Sequence, residues 1–201
     1  NYNTCKRIPF AINFNNSSYR SMSSLFFMAR NLEEVPIMNN VYPSNINYLF
    51  GSCFNLRKLP DGFGDDWNWD RLHTYKSSNM SNIFNGCYSL RSIPESFLNN
   101  LWGIQIGAGS SPYNGLFSRC YSLDEVKGLG ISTSTIASNV FTGVVGNASH
   151  LKDFTFQTNE DGTPKTASWK KQTLDFSYAG YGTYPNEFTD YNSGITADKQ
   201  V

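Results

Sequence analysis

A short pattern recurs five times along the 201 residues, and this repetition constrains the fold more than any single residue does. Two copies correspond almost position by position: Ile46-Asn-Tyr-Leu49-Phe50-Gly-Ser-Cys53-Phe54-Asn-Leu56-Arg-Lys-Leu59-Pro60 and Met80-Ser-Asn-Ile83-Phe84-Asn-Gly-Cys87-Tyr88-Ser-Leu90-Arg-Ser-Ile93-Pro94. A third runs from Met22 to Pro36, with Leu25, Phe26, Ala29, Leu32 and Val35 in the same places. A fourth, Tyr113 to Lys127, carries Leu116, Phe117, Cys120, Tyr121, Leu123 and Val126. The fifth is degenerate, with Val140 and Phe141, then Leu151 and Phe154 after an insertion. A truncated unit, Cys5-Lys-Arg-Ile8-Pro9, leads the series. No such unit is large enough to bury a core alone, so the fold has to come from stacking the units on one another.

The phenylalanines set the period. Phe26 to Phe50 is 24 residues, Phe50 to Phe84 is 34, Phe84 to Phe117 is 33 and Phe117 to Phe141 is 24. Two units therefore carry extra segments, within Asp61–Asn79 and Glu95–Pro112, which begin alike as Pro60-Asp-Gly-Phe63 and Pro94-Glu-Ser-Phe97. Pro94 followed by Glu95 predicts a short helix in the second.

Inside a copy, Met22, Leu25, Phe26 and Ala29 fall at i, i+3, i+4 and i+7, the spacing of one helix face. The sets Ile46, Leu49, Phe50, Cys53 and Met80, Ile83, Phe84, Cys87 repeat it, which predicts short helical turns. The following Leu-x-x-Val/Ile/Leu-Pro predicts a short strand ended by Pro, which cannot donate to a ladder. Lys127 and Thr155 replace that Pro in the last two copies, so those strands are expected to run further. Leu32, Leu56, Leu90 and Leu123, together with the phenylalanines, form the expected repeat core.

Cys53, Cys87 and Cys120 occupy one repeat position, three residues after Phe50, Phe84 and Phe117, where the first copy has Ala29. Equal rank in a stack suits a metal site or disulfide ladder, but replacement by Ala suits a small buried side chain. No C-x-x-C zinc spacing is present.

Formal net charge is zero, with 16% charged residues and 39% hydrophobic ones. No basic cluster marks a nucleic-acid or anionic-membrane footprint. No apolar run is long enough for a spanning helix. Asn, Ser, Gly and Tyr fill the polar positions, a composition common in exported and virion proteins.

Candidate chemistry is sparse. His73 and His150 lie in different units without an evident nucleophile, and no G-x-S-x-G, H-E-x-x-H or P-loop pattern occurs. Asp66-Trp-Asn68-Trp-Asp70 has the oxygen rhythm of a calcium loop's start, but Arg71 and Ser77 stand where that loop needs Gly and Glu. Trp67, Trp69 and Trp102 lie in the two extensions, where they suit either ligand stacking or coverage of the core. Asn15, Asn16, Asn79 and Asn147 head N-x-Ser sequons.

The motif Phe-x-x-Cys-x-x-Leu-x-x-Ile/Leu-Pro, preceded by Met-Ser-x-Ile/Leu, resembles the BspA-like class of leucine-rich repeats over roughly Cys5 to Phe154. The resemblance implies a right-handed α/β solenoid with a narrow parallel sheet. It also implies display on a cell surface or virion, in adhesion, attachment or phage structure, and it supplies no catalytic residues or cofactor. The expected organisation is a solenoid over residues 1–155, then a cap and irregular tail over 156–201. Within that second part a turn at Asp161-Gly162 and a strand at Thr173–Tyr178 are expected, Ala167–Tyr184 forms the cap, and Pro185–Val201 is irregular or docked on a neighbour. The expected function is a non-enzymatic module binding a protein or glycan. The rival expectation is a structural subunit contacting sister chains.

Overall fold

The computed structural model describes residues 4–15, 17–74, 80–101, 115–130, 153–157, 160, 188–190 and 195–197. Within them, successive copies lie directly on one another. The rings of Phe26 and Phe50 are 5.5 Å apart and nearly parallel, as are those of Phe50 and Phe84; Phe84 and Phe117 follow at 5.9 Å. Leu32, Leu56, Leu90 and Leu123 are buried in the same core, as are Cys53, Cys87 and Cys120. Phe141 and the rest of the fifth copy before Asp153 lie outside the described residues.

The expected helical turns take another form. Leu25 N–H donates to the Met22 carbonyl and Ala29 N–H to that of Phe26, each closing a four-residue turn. The third residue of each, Ser24 or Met28, has a positive φ, as a type II turn requires. Tyr48 and Ser52 repeat this in the second copy, Asn82 and Gly86 in the third. A left-handed residue at every fourth position forbids an α-helix. Paired turns nevertheless bring i, i+3, i+4 and i+7 to one side, which is why the spacing imitates a helix. The N–H groups between the turn closures point along the stack instead. Ser24, Phe26 and Met28 donate to Asn47, Leu49 and Gly51 of the next copy at 2.9, 3.0 and 2.9 Å; Tyr48, Phe50 and Ser52 donate to Ser81, Ile83 and Asn85.

On the opposite side the Leu-x-x-Val segments pair in parallel. Single bridges join Arg7 to Glu34, Glu34 to Lys58 and Lys58 to Ser92. Where Pro is absent the pairing lengthens: β5 (Glu125–Leu129) pairs in parallel with β6 (Asp153–Phe156). Two further parallel pairs flank the first copies. They join β1 (Ile12–Asn13) to β3 (Met38–Asn39), and β2 (Arg20–Ser21) to β4 (Pro43–Asn45).

The two extensions close the remaining side. They contain α1 (Asp70–Thr74) and α2 (Glu95–Asn99), the latter beginning after Pro94 as its sequence predicts. Their matching phenylalanines, Phe63 and Phe97, pack at 5.6 Å, and each also touches the main file, Phe63 at Phe50 and Phe97 at Phe84. Gly64 makes that approach possible: its φ is +89°, and an added Cβ would meet the Phe97 ring at 2.9 Å.

In the C-terminal part, β7 (Phe188–Asp190) and β8 (Ile195–Ala197) form an antiparallel pair, so the tail is not wholly irregular. The expected turn at Asp161-Gly162 and the cap strand at Thr173–Tyr178 lie outside the described residues. Among the described residues, no helix is long and apolar enough to cross a membrane.

Phe84 is fully buried between two rings of its own file and the Phe97 edge. Phe84→Ala is expected to cost about 3–5 kcal/mol, read as a lowered midpoint in chemical unfolding.

Candidate interaction surface

In each Leu-x-x-Val segment the first and last residues are buried in the core, which leaves the middle pair toward solvent. Read along the stack, those pairs are Lys6-Arg7, Glu33-Glu34, Arg57-Lys58, Arg91-Ser92 and Asp124-Glu125. Backbone bonds hold them in one file: Glu33 N–H to Lys6, Arg57 to Glu33, Arg91 to Arg57 and Asp124 to Arg91. Opposite charges meet at its start, with Lys6–Glu33 at 3.2 Å, Arg7–Glu34 at 2.9 Å and Arg57–Glu33 at 3.6 Å. Such exposed pairs contribute about 0–1 kcal/mol each, so they fix register more than stability. In the middle, two basic rungs succeed each other. Among the described residues neither Lys58 nor Arg91 has an ion-pair partner. A basic centre thus lies between Glu33-Glu34 and Asp124-Glu125. In the sequence the only signal of this file is the two variable positions of the strand motif.

Beside it runs an aromatic file. Arg30 lies over the Phe54 ring at 5.1 Å, Phe54 stacks on Tyr88 at 4.5 Å, and Tyr88 meets Tyr121 at 5.0 Å. These rings cover one another's faces, so mainly their edges are left to a partner.

Trp67 and Trp69 lie inside the wall made by the extensions, only 5% and 6% exposed. Their rings stack at 5.4 Å, and their indole N–H groups donate to the Met38 and Gly64 carbonyls at 2.9 and 3.0 Å. In this arrangement neither offers a free ring face to a ligand. Trp102 lies outside the described residues. Trp67→Ala is therefore expected to lower the melting temperature by several degrees, measured by calorimetry, rather than weaken binding by a folded protein.

The oxygen-bearing loop is also engaged internally. The Asp66 carboxylate accepts the Asn40 N–H at 2.9 Å, and the Asn68 side-chain oxygen accepts the Asp70 N–H at the start of α1. Asn68 also donates to the Asp70 carboxylate at 3.2 Å. Among the described residues no group of three His, Cys, Asp or Glu side chains is placed to hold a metal. His73 has its Nε2 3.0 Å from the Asn100 carbonyl, tying α1 to the end of α2. His150 lies outside the described residues.

The three repeat cysteines are free and buried, and each serves the stack. The thiols of Cys53, Cys87 and Cys120 donate to the carbonyls of Phe26, Phe50 and Phe84 in the preceding copy, at 3.0, 3.1 and 3.1 Å. Burial pushes the Cys53 thiol up to about 12 and raises Cys87 and Cys120 as well. A raised thiol pKa favours the fold fully below the unfolded value. That stability is lost as pH rises through the folded one. Between pH 9 and about 12 the melting temperature is expected to fall, and less steeply in Cys53→Ala. At neutral pH only Cys5, which is exposed, is expected to react promptly with a thiol reagent, counted by mass spectrometry.

No protein-family model matches the sequence, no curated protein matches it, and no solved structure matches the fold.

Proposed function

We propose that the chain is a non-enzymatic interaction module, a right-handed solenoid of the leucine-rich-repeat type. On this reading it is displayed outside the cell or on a virion and binds a protein or glycan. The observation that carries this reading is the exposed charged file on the strand side, where Lys58 and Arg91, without an ion pair among the described residues, lie between acidic rungs. Such a pattern favours a protein partner, because alternating sign selects one register of a complementary surface. The repeats support a surface-presenting role, since stacked repeats create extended faces of this kind. The fold class and the resemblance to BspA-like repeats are part of the proposal.

A second reading, a structural subunit that contacts sister chains, is favoured by a different observation. Leu25, Phe27 and Met28 are 43%, 37% and 45% exposed at the first copy, although Leu49 and Ile83, which share Leu25's rank, are fully buried.

The test is a binding screen against surface-protein and glycan arrays, repeated with Lys58→Glu combined with Arg91→Glu. Both side chains are exposed and without an ion pair among the described residues, so the double reversal is expected to leave the melting temperature unchanged. Binding to the partner found is expected to drop about tenfold or more, and rising salt to weaken the wild type's binding. Equal binding by both proteins would remove the charged file from the account.

A further inference from the structure

The signs along the charged file are nearly their own complement in reverse. One column runs Lys6, Glu33, Arg57, Arg91 and Asp124, linked amide to carbonyl. The other runs Arg7, Glu34, Lys58, Ser92 and Glu125, with parallel bridges joining Arg7 to Glu34, Glu34 to Lys58 and Lys58 to Ser92. Its signs are plus, minus, plus, neutral, minus; those of the first column are plus, minus, plus, plus, minus. Reversal about the Arg57-Lys58 rung lays Lys6 on Asp124, Arg7 on Glu125 and Glu33 on Arg91. Within one chain the middle of the file is short of acid. Glu33 already serves Lys6 at 3.2 Å and Arg57 at 3.6 Å, and Glu34 serves Arg7 at 2.9 Å. Arg57 and Arg91 stand in adjacent rungs, joined by a backbone bond of 2.9 Å, so their like charges repel. Lys58 and Arg91 have no ion pair among the described residues. An acidic group from outside the chain would balance this place.

We propose that this face docks on the same face of a second copy of the chain, related by a two-fold axis along the strands. The strands of the two copies then run parallel and their stacks run in opposite directions. Each subunit lays its Arg91 on the partner's Glu33, its Lys6 on the partner's Asp124 and its Arg7 on the partner's Glu125. Glu34 lies opposite the partner's Ser92 and one rung from the partner's Lys58, to which it supplies an acid. Only the central rung meets its own sign. A two-fold contact requires a patch that complements itself, and this file does so in one register. A two-fold axis along the stack would lay every rung on its own sign. Centring the reversal between Arg57 and Arg91 would lay Glu33-Glu34 on Asp124-Glu125; centring it between Glu33 and Arg57 would lay Lys6 on Arg91. The rung of Lys152, a residue outside the described ones, falls beyond the overlap. The adjoining column, Asn31, Asn55, Ser89 and Ser122, is uncharged and opposes none of these registers. Several groups exchange an ion pair of their own chain on docking, Glu125 with Lys127 at 2.6 Å among them, so the dimer is weak and sensitive to salt. The inference rests on the reading of the charged file as an interaction face and names its partner.

The test is sedimentation velocity of the full chain at low salt, from about 10 μM to about 1 mM. A monomer–dimer equilibrium is expected, weakened about tenfold or more in about 0.3 M salt. Arg91→Glu and Glu33→Arg are each expected to abolish the dimer, because each sets like charges against one another at both ends of the contact. An equimolar mixture of the two variants is expected to dimerise again, since the acids of one then face the bases of the other. Melting curves verify that both fold; Lys6→Glu mixed with Asp124→Lys replaces a pair that does not. Carbodiimide coupling supplies a second readout, an amide between Lys6 and Asp124 in the covalent dimer, located by mass spectrometry. Within one chain these residues are four rungs apart, about 19 Å at about 4.8 Å per rung, too far for a direct amide. A chain that stays monomeric to about 1 mM overturns the proposal. So does a dimer without the Lys6–Asp124 amide, or one whose variants fail to complement, since either means another face or register. A monomeric chain whose binding on the arrays still depends on Lys58 and Arg91 overturns this inference and leaves the functional reading standing. A complementing dimer that finds no partner on the arrays does the reverse.

Discussion

Phenylalanine rings 5.5 to 5.9 Å apart, nearly parallel, with backbone bonds running beside them from copy to copy, form the interaction on which the rest of this structure depends. Each copy has too few apolar side chains to exclude water from both of its faces. Stacking supplies the missing half of every core position and the missing partner of every second turn amide. The same contact sets the register, because a slip by one residue would separate the rings and misalign donors with acceptors. Leu32, Leu56, Leu90 and Leu123 gain their burial from this arrangement, as do the repeat cysteines. Contact of this kind between neighbouring copies is expected to make their folding cooperative.

The extensions show how a repeat tolerates insertion without losing that contact. Extra residues leave the stack after Pro60 and Pro94, and each returns to it through one phenylalanine. Phe63 and Phe97 meet each other and the main file, and Trp67 and Trp69 close the gap behind them. The cysteines are the converse case. Their chemistry is quiet because burial holds the thiols protonated and a carbonyl of the preceding copy takes the S–H bond. In both cases residues that suggest reactivity or ligand binding are engaged in holding copies together.

Two described surfaces differ in chemistry. The strand side carries ordered charge that adds little stability, and in the function we propose it sets the register of a partner. The turns of the first copy leave the side chains of Leu25, Phe27 and Met28 exposed.

Much of the core was legible in the sequence. Equal spacing of Phe, Cys and Leu named the residues that now share ranks, and Pro94-Glu95 announced α2. Loss of Pro at Lys127 and Thr155 announced the longer pairing of β5 with β6. Other features were not legible. The turns imitate helical periodicity, because spacing records which side chains share a side and says nothing of where the amides point. The charged file was hidden because its members are 24 to 34 residues apart in sequence and adjacent only across the stack. The common direction of the turn amides, from Ser24, Phe26 and Met28 to Asn47, Leu49 and Gly51, is a property of the assembled backbone. Sequence alone determined the order and rank of the core, because rank is a matter of side-chain chemistry and spacing. Tertiary structure alone decided turn over helix, the inward course of Trp67 and Trp69 and the common direction of the turn amides, because these depend on which neighbour each amide and ring finds.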